Sequence, residues 1–332
     1  MSPTVSIIVP CYNEEKRISL LLDALLAQTY PRAQLDVTIA DGGSTDHTRE
    51  VIAAFQREHP DLGLQVIDNK IGSIPAALNR GIDASKGEII LRLDAHSAPY
   101  PDYVALSVAA LESKKGENVG GIWEIRPGAD SWIARSIALA AAHPMGVGDA
   151  LYRHATEAAI VDTVPFGCFR RALVEKIGKY DQSLLANEDY ELNARIRKAG
   201  GKIWLDPSIR SVYFARSDLA GLAKQYFRYG FWKFKMLRRY PDTLRWRQAL
   251  PPVFVLSLVI GFVLTWFNPL FGWLLISELL LYFVTLLLAG FQKAFKRQEF
   301  FLIPGLPLAI AVMHTAWGAG FLWSVFSEMW KS

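Results

Sequence analysis

Cysteine is nearly absent. Cys11 and Cys168 are the only two, they stand in unlike contexts, and no CxxC occurs. That scarcity speaks against a disulfide framework and a thiolate zinc site, and it points the soluble part toward a reducing compartment. No HExxH is present, so a zinc hydrolase has little support. No GxGxxG follows the first apolar run and no GKS or GKT occurs anywhere. A dinucleotide fingerprint and a phosphate loop are thereby excluded, and a bound nucleotide must be held in another way. The opening residues also lack a basic stretch followed by an apolar core and a cleavage site. TVSIIVP is too short for that core and acids follow it, so the amino terminus is expected to stay in the cytoplasm.

Charge is scarce in the last third. The chain is 51% hydrophobic and 20% charged, and the apolar residues crowd together after Pro251. Three stretches, near 251–267, 270–291 and 302–326, are candidate membrane spans. A span needs about 20 residues. The second has Glu278 as its only charge, the third contains Pro and Gly, and the first is long enough only if it runs over Pro251 and Pro252. Buried core helices are the other reading, but too little polar face remains for three of them to form the outside of a soluble domain. Arg245 and Arg247 precede the first stretch, and Lys293, Lys296 and Arg297 separate the second from the third. The positive-inside rule puts both basic flanks in the cytoplasm, makes the first two stretches a hairpin, and sends the C-terminus across the membrane.

Just before the hairpin, residues 224–248 hold eight Lys or Arg against the single acid Asp242, interleaved with Tyr, Phe and Trp. Such a segment suits an anionic lipid surface, with rings at headgroup level and cations toward phosphates. A nucleic-acid surface has similar ingredients. Adjacency to the spans and the net acidity of the remaining chain favour lipid, and no nucleic-acid partner is expected.

The amino-terminal part alternates strand and helix: TVSIIVP, a helix over 14–28, LDVTIAD, a helix over 47–57, LQVIDN, IPAALNRGIDASKG, and EIILRLDAH. That order predicts an α/β fold with a mostly parallel sheet covered on both faces. Functional groups then collect beyond the carboxyl ends of the strands. Asn13, Glu14, Asp41, Asp94 and His96 all fall there. Asp41 opens DGGSTD; it could be part of a capped turn or could accept a hydrogen bond from a nucleotide base, and Asp46 could be simply a cap. Strand alternation would point Asp94 and His96 to one side, where carboxylate and imidazole could share a divalent ion. A turn with an exposed histidine is the plain alternative. Glu188 and Asp189 open a further helix, whose N-terminus favours carboxylates whether or not one of them is a catalytic base.

In their order and spacing these motifs resemble family 2 glycosyltransferases of the GT-A nucleotide-sugar fold. The likeness is to membrane-bound, succinoglycan-type exopolysaccharide enzymes that extend polyprenyl-diphosphate-linked sugars. It is carried by VSIIVPCYNEE at 5–15, DGGSTDHT at 41–48, NKIGSIPAALNRGIDASKGEIILRLDAHS at 69–97 and FGCFRRALVEKIGKYDQSLLANEDYELNARIRKAG at 166–200. The resemblance implies that Pro10, Tyr12 and Glu14 contact the nucleotide, that Asp41 holds the base, and that Asn79 and Arg80 approach the donor. Asp94 matches the first carboxylate of the DxD element. His96 stands where the last aspartate usually binds Mn²⁺ or Mg²⁺, a departure that removes a negative charge and favours softer ions. Asp189 of NED matches the general base, and Glu188 would orient the acceptor or hold the base. Gln225, Arg228 and Tyr229 only faintly resemble the QxxRW element of processive synthases, leaving Arg228 as a phosphate contact without processive polymerisation.

The expected organisation is a cytoplasmic GT-A domain over 1–222, a basic aromatic interfacial segment over 223–250, and a transmembrane domain over 251–332. The implied enzyme is a metal-dependent, inverting hexosyltransferase of the inner or plasma membrane. It would use a nucleotide sugar, UDP-linked in the first instance, and a polyprenyl-diphosphate-linked saccharide as acceptor. Transfer to polyprenyl phosphate and a non-catalytic scaffold are the alternatives. Self-association, assembly partners, the sugar and the linkage stay open.

Overall fold

Continuous apolar runs make the first strands. VSIIVPC forms β1 (Val5–Cys11) and LDVTIAD forms β2 (Leu35–Asp41), both buried almost end to end, as strands covered on both faces are. The helices that follow them are α1 (Ile18–Leu26) and α2 (Thr48–Glu58); then come β3 (Gly63–Asp68), α3 (Ile74–Ala84) and β4 (Ile89–Arg92). α1 buries Ile18, Leu21, Leu22 and Leu25, one stripe of an amphipathic helix. α3 approaches β1 so closely that a Cβ on Gly81 would stand 2.3 Å from Cγ2 of Ile8. These four strands are parallel, in the order β3-β2-β1-β4.

The chain continues through β5 (Ala98–Pro99), α4 (Tyr103–Glu112), β6 (Asn118–Arg126), α5 (Trp132–Ala142) and α6 (Pro144–Val147). β7 (Ala159–Ile160), β8 (Cys168–Arg170), α7 (Arg171–Ile177), α8 (Glu188–Lys198) and β9 (Ile203–Phe214) follow. β8 enters the free edge of β4 from the opposite direction, matching Cys168 with Leu91, and pairs antiparallel with β6 on its other side. β5 and β7 both pair antiparallel with β9. The parallel half is therefore the one expected, and the later strands make the whole sheet mixed.

The computed structural model describes residues 2–330, which group into two compact units. One runs up to Glu124 and adds His154–Tyr213; the other joins Ile125–Arg153 to Phe214 and beyond. In the first, Ile7, Val9, Leu21, Leu22, Ile39, Ile52, Leu91 and Val104 are buried together in one hydrophobic cluster. Each fully buried aliphatic side chain contributes about 1.5–3 kcal/mol.

The second unit contains α9 (Leu219–Leu237), α10 (Trp246–Thr265), α11 (Pro269–Arg297) and α12 (Leu302–Met329). The last three are long and apolar enough to cross a membrane. α10 does run over Pro251 and Pro252, which gives the first stretch its length. α11 starts where Asn268 caps it, its side chain accepting from the Leu270 N–H at 2.9 Å, and continues past the expected boundary to take in Lys293, Lys296 and Arg297. Polar groups on these helices find partners in the unit. Ser257 donates to Glu278 at 2.6 Å. Nε2 of His314 donates to the Met145 carbonyl at 2.8 Å, leaving Nδ1 to accept from Tyr282 at 3.0 Å. The basic aromatic stretch forms α9, which packs along α12. A Cβ on Gly230 would stand 2.1 Å from the Trp317 carbonyl, and one on Gly320 2.1 Å from the Phe227 carbonyl.

Candidate active site

Two turns at the carboxyl end of the parallel strands are laced together. The Asn13 and Glu14 N–H groups donate to Ser44 Oγ at 2.9 Å and Thr48 Oγ1 at 2.8 Å. Thr45 N–H returns a bond to the Asn13 side chain at 2.8 Å. Asp46 accepts from both the Thr48 N–H and its hydroxyl in the turn that leads into α2, whose N-cap is His47, and it also accepts from the Glu15 N–H at 3.2 Å. Asp41 is wholly buried and already bonded: Ser44 Oγ donates at 2.6 Å and Arg49 Nε at 2.6 Å. Burial alone would raise its pKa, but the Ser44 and Arg49 hydrogen bonds hold the carboxyl below its usual range.

Beyond β4 a second constellation centres on Arg92. Its guanidinium is almost fully buried and meets three carboxylates. Nη2 is 2.9 Å from Asp94 Oδ1 and 3.1 Å from Glu188 Oε1, and Nη1 donates to Asp189 Oδ2. The other Asp189 oxygen, Oδ1, is buried with no hydrogen-bond partner among the described residues. Burial pushes the Asp189 carboxyl up to about 7; Arg92 pulls against that rise and Glu188 adds to it. Backbone geometry around the cluster is unusual. Asn187, immediately before α8, and Phe166, which lies buried beside Arg92 with its ring 6.0 Å away, both adopt φ of +65°. Non-glycine residues rarely adopt that conformation, and where they do the site is often functional.

Residues 6–178, more than half of the 332-residue chain, match the sequence profile of Glycosyl transferase family 2. The chain belongs to that family. This glycosyltransferase is 29% identical over 320 residues to the succinoglycan biosynthesis protein ExoA of Rhizobium meliloti (strain 1021), covering 95% of this chain and 93% of that protein. It is 27% identical over 323 residues to the dolichyl N-acetyl-alpha-D-glucosaminyl phosphate 3-beta-D-2,3-diacetamido-2,3-dideoxy-beta-D-glucuronosyltransferase of Methanococcus voltae, covering 96% and 95% of the two chains. Among solved structures, the mannosyltransferase PcManGT of Pyrobaculum calidifontis, in complex with GDP-Man and Mn²⁺, aligns with a TM-score of 0.65. That alignment covers 99% of this chain and 88% of the other at 19% identity, a likeness of fold. The fold of the glycosyltransferase is GT-A.

The expected site residues separate into groups. Asp94, Glu188 and Asp189 come together on Arg92. Glu14 meets His96, Oε1 to Nδ1 at 3.0 Å. Burial works against a charged imidazole there, but the Glu14 hydrogen bond and nearby Asp94 outweigh it and raise the His96 pKa. Pro10 is the last residue but one of β1, Tyr12 is exposed just after the strand, and Arg80 is exposed on α3. Asn79 is elsewhere engaged: its buried amide donates to the Tyr180 carbonyl at 2.8 Å and accepts from the Tyr180 N–H at 2.9 Å. It clamps the segment that leads to NED. Arg228 lies on α9, in the second unit.

Strand alternation does not orient Asp94 and His96. β4 stops at Arg92, and the Ser97 N–H closes a turn onto the Asp94 carbonyl at 3.0 Å. Each residue nevertheless keeps one atom of a kind that ligates divalent ions. Asp94 uses Oδ1 on Arg92 and keeps Oδ2; His96 uses Nδ1 on Glu14 and keeps Nε2. A carboxylate on the far nitrogen is the usual support of a ligating imidazole. Among the described residues no group of three His, Cys, Asp or Glu could form a closed cage. An ion here would need water and substrate phosphate to complete its coordination. Arg92 is the member that the sequence reading missed. Its signal was available: a guanidinium inside IILRL must find acids when the strand is buried.

Proposed function

We propose that this glycosyltransferase moves one hexosyl residue from a nucleotide sugar, with a UDP-sugar as the first candidate, to a polyprenyl-diphosphate-linked saccharide in cell-surface polysaccharide assembly. The observation that carries the reading is the Glu188 and Asp189 pair gathered beside Asp94, with one buried oxygen of Asp189 left unbonded. Asp189 takes the proton of the acceptor hydroxyl while that oxygen attacks the anomeric carbon from the face opposite the nucleoside diphosphate. The bond to the diphosphate breaks as the new glycosidic bond forms, and a single displacement inverts configuration. Glu188 shares Arg92 with the base and holds the acceptor side of the pocket. Pro10, Tyr12 and Arg80 flank the donor. The base of the nucleotide lies over Asp41, where it must share or displace Arg49. A divalent cation on Asp94 and His96 would offset the charge of the diphosphate and of its leaving group.

The acceptor class is supported by the names of two relatives, one acting on a dolichyl-linked sugar and one in succinoglycan biosynthesis. It is supported also by three helices able to cross a bilayer. Residues 1–222 would then work in the cytoplasm, 223–250 at the lipid surface with Arg228 toward a phosphate, and 251–332 in the inner or plasma membrane. An acceptor confined to the bilayer meets the enzyme more often than a soluble one.

The test is incorporation of labelled sugar into lipid by the purified protein in detergent. Nucleotide sugars are crossed with polyprenyl phosphate and polyprenyl-diphosphate-sugar, each with Mn²⁺, Mg²⁺ or chelator. Product only on the sugar-bearing acceptor, lost with chelator and reduced about 10²- to 10⁴-fold by Asp189→Asn, is the expected result. Product on bare polyprenyl phosphate, with activity spared in Asp189→Asn, would instead make it a synthase of monophosphate-linked sugar donors.

A further inference from the structure

The Arg92 cluster is an odd device for stability alone. Three carboxylates, Glu188 buried and Asp94 and Asp189 half-buried, surround one buried guanidinium, so acids outnumber the cation that holds them. Buried ion pairs seldom outperform apolar packing even when balanced. The cluster also joins parts of the chain that are far apart in sequence, with Asp94 following β4 and Glu188 and Asp189 opening α8. The strand register gives Arg92 a fixed seat, since its N–H donates to the Gly167 carbonyl at 3.1 Å. Gly167 itself has φ of +86° directly after Phe166.

Resting on Asp189 as the base, we infer that Arg92 is a positioning residue that selects which oxygens of the two essential carboxylates face the substrates. By holding Oδ2 of Asp189 it leaves the buried Oδ1 without a partner among the described residues, the oxygen that takes the proton once an acceptor enters, and by holding Oδ1 of Asp94 it leaves Oδ2 for the donor. One rigid fork thereby sets the acceptor-side base relative to the donor-side carboxylate. The role requires arginine, because lysine is a point charge on a flexible stem and lacks two separated terminal nitrogens.

The test compares Arg92→Lys, Arg92→Ala and Asp189→Asn with the wild type, using the nucleotide sugar and polyprenyl-linked acceptor that give turnover in the panel above. Arg92→Lys keeps the charge but cannot hold all three carboxylates, so it is expected to fold with a melting temperature lowered by several degrees. Its kcat should fall about 10- to 100-fold, the scale of a misplaced catalytic group, while donor KM stays within about twofold. Added guanidinium should restore part of the kcat of Arg92→Ala. Wild-type kcat in Arg92→Lys, or a change confined to KM, overturns the inference while leaving the base assignment intact. Full activity in Asp189→Asn is the distinct failure of the base assignment. Should the Arg92 variants not fold, a structure of the wild type with nucleotide and acceptor decides. Oδ1 on the acceptor hydroxyl with Oδ2 on Arg92 supports the inference; Asp189 detached from Arg92 overturns it.

Discussion

Glu14 and Asp189 can each be tested as single residues. Glu14 fixes the His96 ring through Nδ1, so Glu14→Gln should weaken half-maximal activation by Mn²⁺ about 10- to 100-fold with little change in donor KM. A raised donor KM with unchanged metal activation would make Glu14 a nucleotide contact instead. Asp189, pushed up to about 7, works as a base only when deprotonated. At saturating substrates and metal, kcat should therefore rise with pH, about tenfold per unit below that value, and level off above it. A flat profile from about pH 5.5 to 8 would remove Asp189 from the proton transfer. The carboxylates and His96 were legible because their residue types stand at strand ends and in ordered motifs. Their partners were less so: the bonds from Ser44 and Arg49 to Asp41, and from Asn79 to the Tyr180 backbone, depend on contacts between chain segments.

Elements with a strong internal period were readable, and elements defined by a partner were not. α1 buries the stripe that its sequence advertises. β8 has only three residues and exists because β4 and β6 both pair with it. The end of β4 was misplaced for a related reason. LRLDAHS continues a plausible alternation, but the bond from Ser97 to Asp94 bends the chain into a turn two residues after Arg92. α9 shows the same dependence in the second unit. Its basic and aromatic composition suits a lipid surface, yet Gly230 lets it approach the backbone of α12. Gly230→Leu should force these helices apart and destabilise the protein by about 1–3 kcal/mol or more, seen as a lowered melting temperature in detergent. An unchanged melting temperature would mean that α9 does not rest on α12 in solution.

At the scale of the whole molecule, the chain order and the compact units differ. Ile125–Arg153 groups with the C-terminal helices although it lies between segments of the sheet-bearing unit, an arrangement made by contacts that a linear reading cannot see. The charge pattern, by contrast, is linear and carries a testable prediction about topology. Arg245 and Arg247 flank the start of α10, while Lys296 and Arg297 lie in the last turn of α11. A cation at the bilayer centre costs about 2.5–3.5 kcal/mol on insertion scales, which keeps both ends out of the apolar core, and the positive-inside rule predicts that they lie in the cytoplasm. The α10–α11 turn at Asn268 should then emerge on the opposite face. Cys11 and Cys168 are both buried, so single cysteines introduced at Asn268 and Gln298 can be read against a low background. With a membrane-impermeant maleimide on intact cells, Asn268→Cys should label and Gln298→Cys should label only after permeabilisation. The reverse pattern would put the basic flanks outside, and equal labelling of both before permeabilisation would mean that α11 does not cross the membrane.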